Sequence, residues 1–543
     1  MKIKSLLAGM VVSAALASCT NQDIIENESE INTPTAKAYI GIKIADPANG
    51  ISRAATDGGF DNGTINENYI KKSLFVFYDK DGNNKGKGII EGKLDVNGNP
   101  VNGTSIEANT TAVVVLHGVQ GKNDYPTQVV AFLNLPQEVQ TELEGKKLDE
   151  AIEMVKNMTE ISDYAKNENF IMTNSVYLKE DKIQVATPIT NINFAQTEEG
   201  AIQNPITIYV ERVAAKVKMT EKQDGVETPD IDIIYNGKSG YKLKLEIDGW
   251  GINGVNKSTY ILKNVDATWN WNNWIWNDVD NHRSYWAKDS NYDNGNYPIN
   301  HEEYDSNAYP LVYNSWNTVA GNVKNIQYCP ENTVGPSLLS NINATTYMVI
   351  AGHYKIVDKN GTENEVGESN KLYQYIGQFY TEEELLKLLA EQASIYTQTE
   401  KKWNKVGADS YQLVRANLHE AKLELKTEGE YYSEKNESKK ITSLKEANSI
   451  VNNRVGTITT FSGGKTFFYT NIQHLNTNTG KVGSIGIVRN HTYNLTLNTI
   501  RNLGEGVFDP DEEIIITDKE KEFFVGATLN ILSWKVVNQD VDL

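Results

Sequence analysis

Cysteine is nearly missing from this chain of 543 residues. Its two cysteines are Cys19 and Cys329, so a form that lacks Cys19 can make no internal disulfide. Long apolar runs are missing as well. After the first 19 residues no stretch reaches about eighteen apolar residues, so none is predicted to cross a bilayer as a helix. The fold must therefore be stabilised by its hydrophobic core, and the length suggests two or three domains.

Known catalytic and metal-binding motifs are also missing. The seven histidines are scattered and show no HExxH or other metal-ligand spacing. There is no GxSxG elbow, no P-loop and no GxGxxG motif between a strand and a helix. The segment 79–84 looks at first like a calcium loop. Its glycine is not at position six, however, and position twelve is Ile90 where a glutamate is needed, so a β-hairpin turn is predicted.

The charge of the chain has one dominant sign. A formal net charge of −19 disfavours nucleic acid as a partner. Together with the missing motifs, this predicts a protein that is not an enzyme and that uses neither a metal nor a cofactor.

The first 19 residues have the pattern of a targeting segment. Two lysines precede a short apolar run that ends on Leu16-Ala17-Ser18-Cys19, which resembles the lipobox of bacterial lipoproteins. We expect cleavage between Ser18 and Cys19, with diacylglycerol and palmitate on Cys19 holding the precursor to the outer membrane. An ordinary signal peptide with a cysteine beside its cleavage site is the alternative. Residues 20–36 are polar and acidic, which is typical of a disordered tether.

Most of the remaining chain has the pattern of β-structure. Short runs rich in Val, Ile, Tyr and Thr alternate with Asn-Gly and Asp-Gly turns, which favours antiparallel β-sandwiches. The predicted strands include Leu74–Tyr78, Ala112–Leu116, Gln128–Leu133, Ile206–Val210, Tyr241–Ile247, Thr346–Ala351 and Tyr493–Leu497. We therefore predict a mainly β fold with two tandem antiparallel β-sandwich domains, a few short helices and long loops.

Two helices and two long loops are predicted within this β-framework. Leu148–Met158 has apolar residues at helical spacing, and Thr381–Gln392 opens with a capping-box pattern. Insertions around residues 264–320 and 425–450 are predicted to be loops. The charge-rich segment Thr220–Asp230 is the best candidate for a boundary between domains.

Four tryptophans stand close together in the run WNWNNWIWN. They are Trp269, Trp271, Trp274 and Trp276. A stacking platform for sugars would make this a lipid-anchored surface protein that binds glycans. A tryptophan-rich strand and loop that cover a sandwich core are the structural alternative, which we favour because tryptophan is mostly buried.

Several segments in order along the chain resemble the fimbrillins of Bacteroidales, in particular the major subunit of short (minor) fimbriae of the type V pilus. The fold implied by this resemblance is a pair of transthyretin-like sandwiches. The resemblance is carried by Val210–Val217, Asp248–Trp250, Lys257–Lys263, Val488–Tyr493, Ile500–Gly504, Ile531–Val536 and Val541–Leu543.

The resemblance implies a maturation step near the N-terminus. In such proteins an Arg-specific, trypsin-like protease removes an N-terminal propeptide from a lipidated precursor. Arg53 lies in a Gly-rich, polar stretch that is suited to proteolysis, so we expect cleavage between Arg53 and Ala54. Just before it, Ala38, Ile40, Ile42 and Ile44 share one face of a predicted strand within residues 37–46. Removal of this strand would open an apolar groove with unpaired edges.

The resemblance also implies a strand at the other end of the chain that refills the groove of a neighbour. We expect Leu529, Ile531, Trp534 and Val536 to face that groove, if a bulge near Ser533 shifts the alternation. The alternative is that 527–543 is the last strand of its own domain. The predicted organisation is a signal peptide (1–19), a propeptide (20–53), two sandwiches (54–220 and 221–510) and a donor arm (511–543).

The function implied is that of a stalk subunit of a cell-surface fimbria that supports adhesion. Its expected partners are copies of itself, the anchor and tip subunits of the fimbria, the processing protease and, for the precursor, the outer membrane.

Overall fold

The computed structural model describes residues 38–45, 60–61, 63–64, 66–94, 110–116, 125–157, 165, 170–222, 225–228, 231–273, 276–290, 292, 308–309, 317–318, 326–336, 345–367, 369–474, 481–511 and 534–542. This part of the chain is mainly β, as predicted. The strands before residue 222 are β1 Ala38–Ala45, β2 Phe60–Asp61, β3 Ile70–Tyr78, β4 Asn84–Leu94, β5 Thr110–Leu116, β6 Gln128–Leu133, β7 Val155–Asn157, β8 Met172–Asn174, β9 Tyr177–Lys179, β10 Lys182–Gln184, β11 Thr187–Pro188, β12 Phe194–Ala195, β13 Ile206–Arg212 and β14 Ala215–Glu221.

The later strands include the longest of the molecule. They are β15 Ile231–Tyr235, β16 Lys238–Asn253, β17 Val255–Asn256, β18 Ser258–Tyr260, β19 Asn277–Asp278, β20 Arg283–Ser284, β21 Ala308–Tyr309, β22 Asn317–Thr318, β23 Ile326–Cys329, β24 Tyr347–Val357, β25 Glu363–Glu365, β26 Lys371–Tyr375, β27 Gln378–Tyr380, β28 Tyr396–Thr399, β29 Lys402–Lys405, β30 Tyr411–Arg415, β31 Glu420–Leu425, β32 Ile458–Ser462, β33 Lys465–Asn471, β34 His491–Thr499, β35 Glu505–Gly506 and β36 Trp534–Asp542. The α-helices are α1 Gln137–Leu143, α2 Leu148–Ile152, α3 Glu198–Gln203, α4 Glu382–Ala393 and α5 Leu444–Val455.

The first sandwich is built from strands between β1 and β13. They form one curved sheet in the order β12-β1-β13-β8-β6-β3-β4, with β5 beside β1 and β11 beside β6. Successive side chains of β3 point to opposite faces of this sheet, so the strand contributes to two cores. Phe75 and Phe77 enter the core that also holds Ile40 and Ile42. Leu74 and Val76 on the other face belong to a second core, which includes residues of α1 and α2.

The second sandwich lies between a five-stranded and a twelve-stranded sheet. The smaller sheet has the order β2-β36-β34-β14-β23, and the central path of the larger one runs β30-β31-β32-β26-β27-β15-β16-β24-β33-β35. Val217 and Leu495 of the smaller sheet share a core with Trp250 and Ile350 of the larger one. A further core on the larger sheet includes residues of α4 and α5.

The predicted fold class is thus confirmed. Six of the seven predicted strands lie within an observed strand, and the seventh, Thr346–Ala351, starts one residue before β24. The hairpin predicted at residues 79–84 is also observed, since β3 and β4 pair in antiparallel across it. Most strand pairs are antiparallel, but β1 with β13, β14 with β34, β34 with β36 and β15 with β27 are parallel. The domain limits expected from the sequence stay a prediction.

Three local predictions were wrong. The helix expected over Leu148–Met158 ends at Ile152, because Val155–Asn157 pairs as a strand with β18. The loop expected over 425–450 contains the start of α5, where the side chain of Ser443 accepts a hydrogen bond of 3.2 Å from the amide of Glu446. Helix α4 begins where expected, but Thr381 does not cap it with its side chain.

Candidate strand-exchange site

Strand β1 lies between two partners in the first sheet and is not at its edge. Along one side it pairs in antiparallel with β5, with residues 38–44 opposite residues 116–110. Along the other side, residues 42–45 pair in parallel with residues 206–209 of β13, and Tyr39 and Ile40 pair with β12. Removing β1 would therefore leave two rows of unpaired backbone groups facing each other across a gap.

The apolar face predicted for β1 enters the core of the first sandwich. Ile40 and Ile42 are both fully buried there. Side chains of β3, β6 and β13 complete the same core, so it is shared by strands on several sides of β1. The other two residues predicted on this face, Ala38 and Ile44, also lie in β1, where they stand opposite Leu116 and Thr110 of β5.

The opposite face of β1 is also covered, at one point that the sequence did not reveal. Helix α3 passes so close to Gly41 that a Cβ there would overlap the carbonyl oxygen of Ala201. It would also lie 2.8 Å from the carbonyl carbon of Ala201 and 3.3 Å from Cα of Pro205. Gly41 is thus required by lack of space and not by an unusual φ angle.

The residues of the expected maturation sites fall outside the described ranges. These are Ser18, Cys19, Arg53 and Ala54. The expected cut nevertheless lies within residues 46–59, between β1 and β2 in the chain. A cut there would separate a strand of the first sandwich from a strand of the second.

The C-terminal strand pairs with its own chain. Strand β36, which contains Trp534 and Val536, runs parallel to β34 from His491 to Thr499. On its other side, the first two residues of β36, Trp534 and Lys535, pair with β2. The two other expected donor residues, Leu529 and Ile531, lie outside the described ranges.

A buried polar network joins the two sandwiches just after β2. Glu67 accepts a hydrogen bond of 2.5 Å from the hydroxyl of Tyr328, and its Oε1 lies 2.6 Å from Nζ of Lys216. Arg212 donates from Nε to the carbonyl oxygen of Glu67 at 2.9 Å and from Nη1 to Asn490 at 3.0 Å. Burial alone would raise the pKa of Glu67, but the charges of Lys216 and Arg212 hold it below its usual value.

Further ion pairs lie deep in the same region. Nζ of Lys263 is 2.9 Å from Oε2 of Glu211, and Arg489 pairs with Glu331. All four side chains are almost fully buried. Burial raises the pKa of Glu211 and lowers that of Lys263, so desolvation opposes the charge of both partners.

The tryptophan cluster divides into a supporting and a lining part. Trp271 is buried and donates a hydrogen bond of 2.9 Å from Nε1 to the carbonyl oxygen of Asp266. Trp269 and Trp276 are partly exposed and stack with ring centroids 5.3 Å apart. Both line a cavity of about 310 Å³. Trp274 lies outside the described residues.

The described residues form neither a metal-binding cluster nor a membrane-spanning helix. Among the residues that the structure describes, no three His, Cys, Asp or Glu side chains are grouped so as to hold a metal ion. Within the same ranges, no helix has the length and apolar character needed to cross a membrane.

Sequence comparison identifies the class of protein. Residues 459–540, which run from β32 into β36, match the family model described as "Major fimbrial subunit protein type IV, Fimbrillin, C-terminal". The resemblance to fimbrillins is thereby confirmed. The similarity to fimbrial subunits is thus established for this C-terminal part of the chain, about 80 residues long.

Solved structures with partial similarity come from several bacteria. One from Parabacteroides distasonis, named for a suggested role in cell adhesion, has 12% identity over 63% of this chain and 77% of its own, with a TM-score of 0.31. Another so named, from Bacteroides eggerthii, has 13% identity over 62% and 79%, with a TM-score of 0.31. The tip fimbrial protein Mfa3 from Porphyromonas gingivalis has 11% identity over 60% and 80%, with a TM-score of 0.25. A comparison with curated proteins gives no significant match.

Proposed function

We propose that this chain is a structural stalk subunit that polymerises by exchanging strands after cleavage between Arg53 and Ala54. The observation that carries the proposal is the position of β1, which is paired on both sides and buries Ile40 and Ile42 completely. A strand in this position leaves a groove that only another strand can fill well. A groove of this kind favours a very stable joint between subunits.

Cleavage alone would not expel β1, because β1 pairs with β5, β12 and β13 and buries Ile40 and Ile42 in the first sandwich. Each of the two isoleucines contributes roughly 1.5–3 kcal/mol by burial, and each ladder hydrogen bond about 0.5–1.5 kcal/mol. An incoming strand can replace these interactions one by one. Cleavage makes the exchange possible because the displaced strand is then free to leave.

The network around Glu67 supports a cut that releases β1 alone. Glu67 lies after the expected new N-terminus at Ala54, and it is bonded to Lys216, Tyr328 and Arg212. These contacts hold the start of the mature chain between the two sandwiches. The mature subunit would therefore keep its shape while it loses β1.

The pairing of β36 suggests how the donor is held before assembly. One side of β36 pairs with β34, and on the other side Trp534 and Lys535 pair with β2. Strand β2 follows the expected cut closely in the chain. Cleavage would separate β2 from β1 and so loosen this short cover of the donor.

Each subunit would then donate a strand to one neighbour and accept one from another. Such a contact does not close on itself and grows a filament. Anchor and tip subunits would end it, and an Arg-specific, trypsin-like protease would start it. The lipid at Cys19 would deliver the precursor to the outer membrane and leave with the propeptide.

N-terminal sequencing of the assembled protein, combined with a deletion of residues 511–543, the whole C-terminal arm, tests this proposal. We expect the assembled protein to begin at Ala54 and the deletion variant to stay monomeric after the same cleavage. Ladders that resist SDS in the deletion variant would show that the C-terminal strand is not the donor.

We also propose a second candidate function, binding of a neutral glycan in the cavity beside Trp269. The observation that favours it is the pair of partly exposed rings, Trp269 and Trp276, that line about 310 Å³. This volume is at the lower end of the range for ligand pockets. Aromatic faces attract the C–H groups of a pyranose ring, because the faces carry negative charge density.

The polar lining of the cavity favours an uncharged ligand. Nζ of Lys288 lies 2.7 Å from Oδ2 of Asp266, and this contact together with Thr268 brings the pKa of Asp266 to about 2. The two charges cancel, and the net charge of the chain repels anions.

An array of neutral and sialylated glycans, followed by calorimetry with each neutral glycan that binds, tests the second function. Binding to a neutral glycan should be lost in Trp269→Ala and kept in Trp403→Phe, a tryptophan outside the cavity. If no neutral glycan binds, or if Trp269→Ala binds as the wild type does, the cavity is not a glycan site.

A further inference from the structure

The close approach of Ala201 to β1 sets a condition on any strand that replaces it. At the place of Gly41, a Cβ would overlap the carbonyl oxygen of Ala201 and lie 2.8 Å from its carbonyl carbon. Both atoms belong to the backbone of α3, so no rotation of a side chain relieves the overlap. Ala201 is itself fully buried, which leaves the helix little room to retreat. The replacement strand therefore needs a glycine at this position.

The C-terminal arm contains one such residue. After Gly506, which pairs within the chain, the only glycine up to Leu543 is Gly526. It stands in the sequence Phe-Phe-Val-Gly-Ala-Thr-Leu-Asn, residues 523–530, whereas β1 reads Ala-Tyr-Ile-Gly-Ile-Lys-Ile-Ala. When Gly526 is aligned with Gly41, Val525 and Ala527 fall at the core-facing positions of Ile40 and Ile42. Phe524 falls at the position of Tyr39 on the other face.

From these observations we infer that residues 523–530 of one subunit occupy the place of β1 in the next subunit, with Gly526 opposite Ala201. This inference rests on the proposed strand exchange and sets its register. Val525 and Ala527 then replace Ile40 and Ile42. At the two outer core-facing positions Phe523 replaces Ala38 and Leu529 replaces Ile44, so the larger Phe523 offsets the volume that is lost at Val525 and Ala527.

The residues on the face of the arm that points away from the core indicate its direction. In the same direction as β1, Phe524 replaces Tyr39 and Thr528 replaces Lys43. In the reverse direction Phe524 would stand where β1 has a lysine. The arm therefore runs antiparallel to β5 and parallel to β13 of the neighbour, as β1 does in the precursor.

This register differs from the one that the apolar pattern of Ile531–Val536 suggests. The small residue there is Ser533, which would stand opposite Ala201 with Leu532 at the place of Ile40. Serine carries a Cβ and meets the same overlap. The donor region that enters the core thus begins before Ala527, and the residues of β36 follow it.

Cysteine cross-linking distinguishes the two registers. Ile40 stands opposite Val114 of β5, so Val525 of the arm would stand opposite Val114 of the neighbour. Directly opposed residues of antiparallel strands are about 4.5–5.5 Å apart at Cα, which suits a disulfide. Val114→Cys combined with Val525→Cys should give subunits linked into ladders on a non-reducing gel. Val114→Cys combined with Leu532→Cys should give none.

A glycine replacement supplies a second measurement. Gly526→Val should reduce polymer formation at least tenfold, while the N-terminus still becomes Ala54 and the variant stays folded. Ser533→Val should polymerise as the wild type does. Cross-links through Leu532, or polymers from Gly526→Val, would overturn the register and leave strand exchange intact. Polymers from a chain that lacks residues 511–543, the whole C-terminal arm, would instead overturn the proposed function.

Discussion

Lys216 and Glu67 form an ion pair of 2.6 Å between the two sandwiches, and the side chains are only 2% and 1% exposed. Lys216 belongs to β14 of the second sandwich, and Glu67 precedes β3 of the first. The pair therefore links the two sandwiches a short distance after the proposed new N-terminus at Ala54.

We predict that Glu67→Gln lowers the free energy of unfolding by about 3–5 kcal/mol at neutral pH, because it leaves Lys216 buried without its counter-charge. The folded pKa of Glu67 is below its usual value. Its contribution is therefore complete above the unfolded pKa of about 4.3 and is lost as the pH falls through the lower folded pKa. Urea unfolding from pH 7 to pH 3 measures this. A difference between the two proteins that does not shrink in acid would contradict the assignment.

The buried pair of Lys263 and Glu211 should behave differently when both partners are replaced. Lys263→Met alone leaves Glu211 buried and unpaired, and should destabilise the mature protein by about 3–5 kcal/mol. The double variant Lys263→Met, Glu211→Met removes both desolvated charges and should recover most of that loss. Thermal unfolding of both variants at pH 7 measures the recovery. If the double variant is less stable than Lys263→Met, the pair stabilises the fold in some way other than by neutralising a buried charge.

Ile42→Ala should destabilise the precursor but not the assembled subunit. In the precursor the truncation leaves a cavity in the core of the first sandwich, which costs about 2–5 kcal/mol. In the assembled form, cleavage and the proposed exchange with a neighbour's strand have removed this residue. Differential scanning calorimetry of the uncleaved precursor and of the assembled polymer shows the contrast. Ile208→Ala, in the same core but on β13, is the matched control and should destabilise both forms. Equal effects of Ile42→Ala on both forms would mean that β1 stays in place.

Cys329 should be unreactive in the native mature protein. Its side chain is fully buried, and burial raises the pKa of its thiol to about 12. A thiolate is needed for attack on a thiol reagent, so labelling should require unfolding. Labelling by iodoacetamide at pH 8, followed by mass spectrometry with and without urea, measures this. Rapid labelling without urea would show that β23 opens readily.

The sequence by itself determined much of this protein through local patterns. Runs rich in Val, Ile, Tyr and Thr between turn signals located the seven predicted strands. Apolar alternation identified Ile40 and Ile42 as core residues, because period two is a property of any half-buried strand. It also held a signal that was overlooked. Ser443 and Glu446 have the spacing of a capping box directly before the apolar face of α5.

The tertiary structure decided what depends on contacts between distant residues. Pairing with Tyr260 made Val155 part of a strand where its spacing suggested a helix. The overlap that makes Gly41 necessary arises from Ala201, 160 positions later in the chain. Buried ion pairs such as Lys216 with Glu67 likewise resemble surface charges in the sequence. Local patterns report which face a residue occupies, but only the folded chain brings together the atoms that define a groove and the strand that fits it.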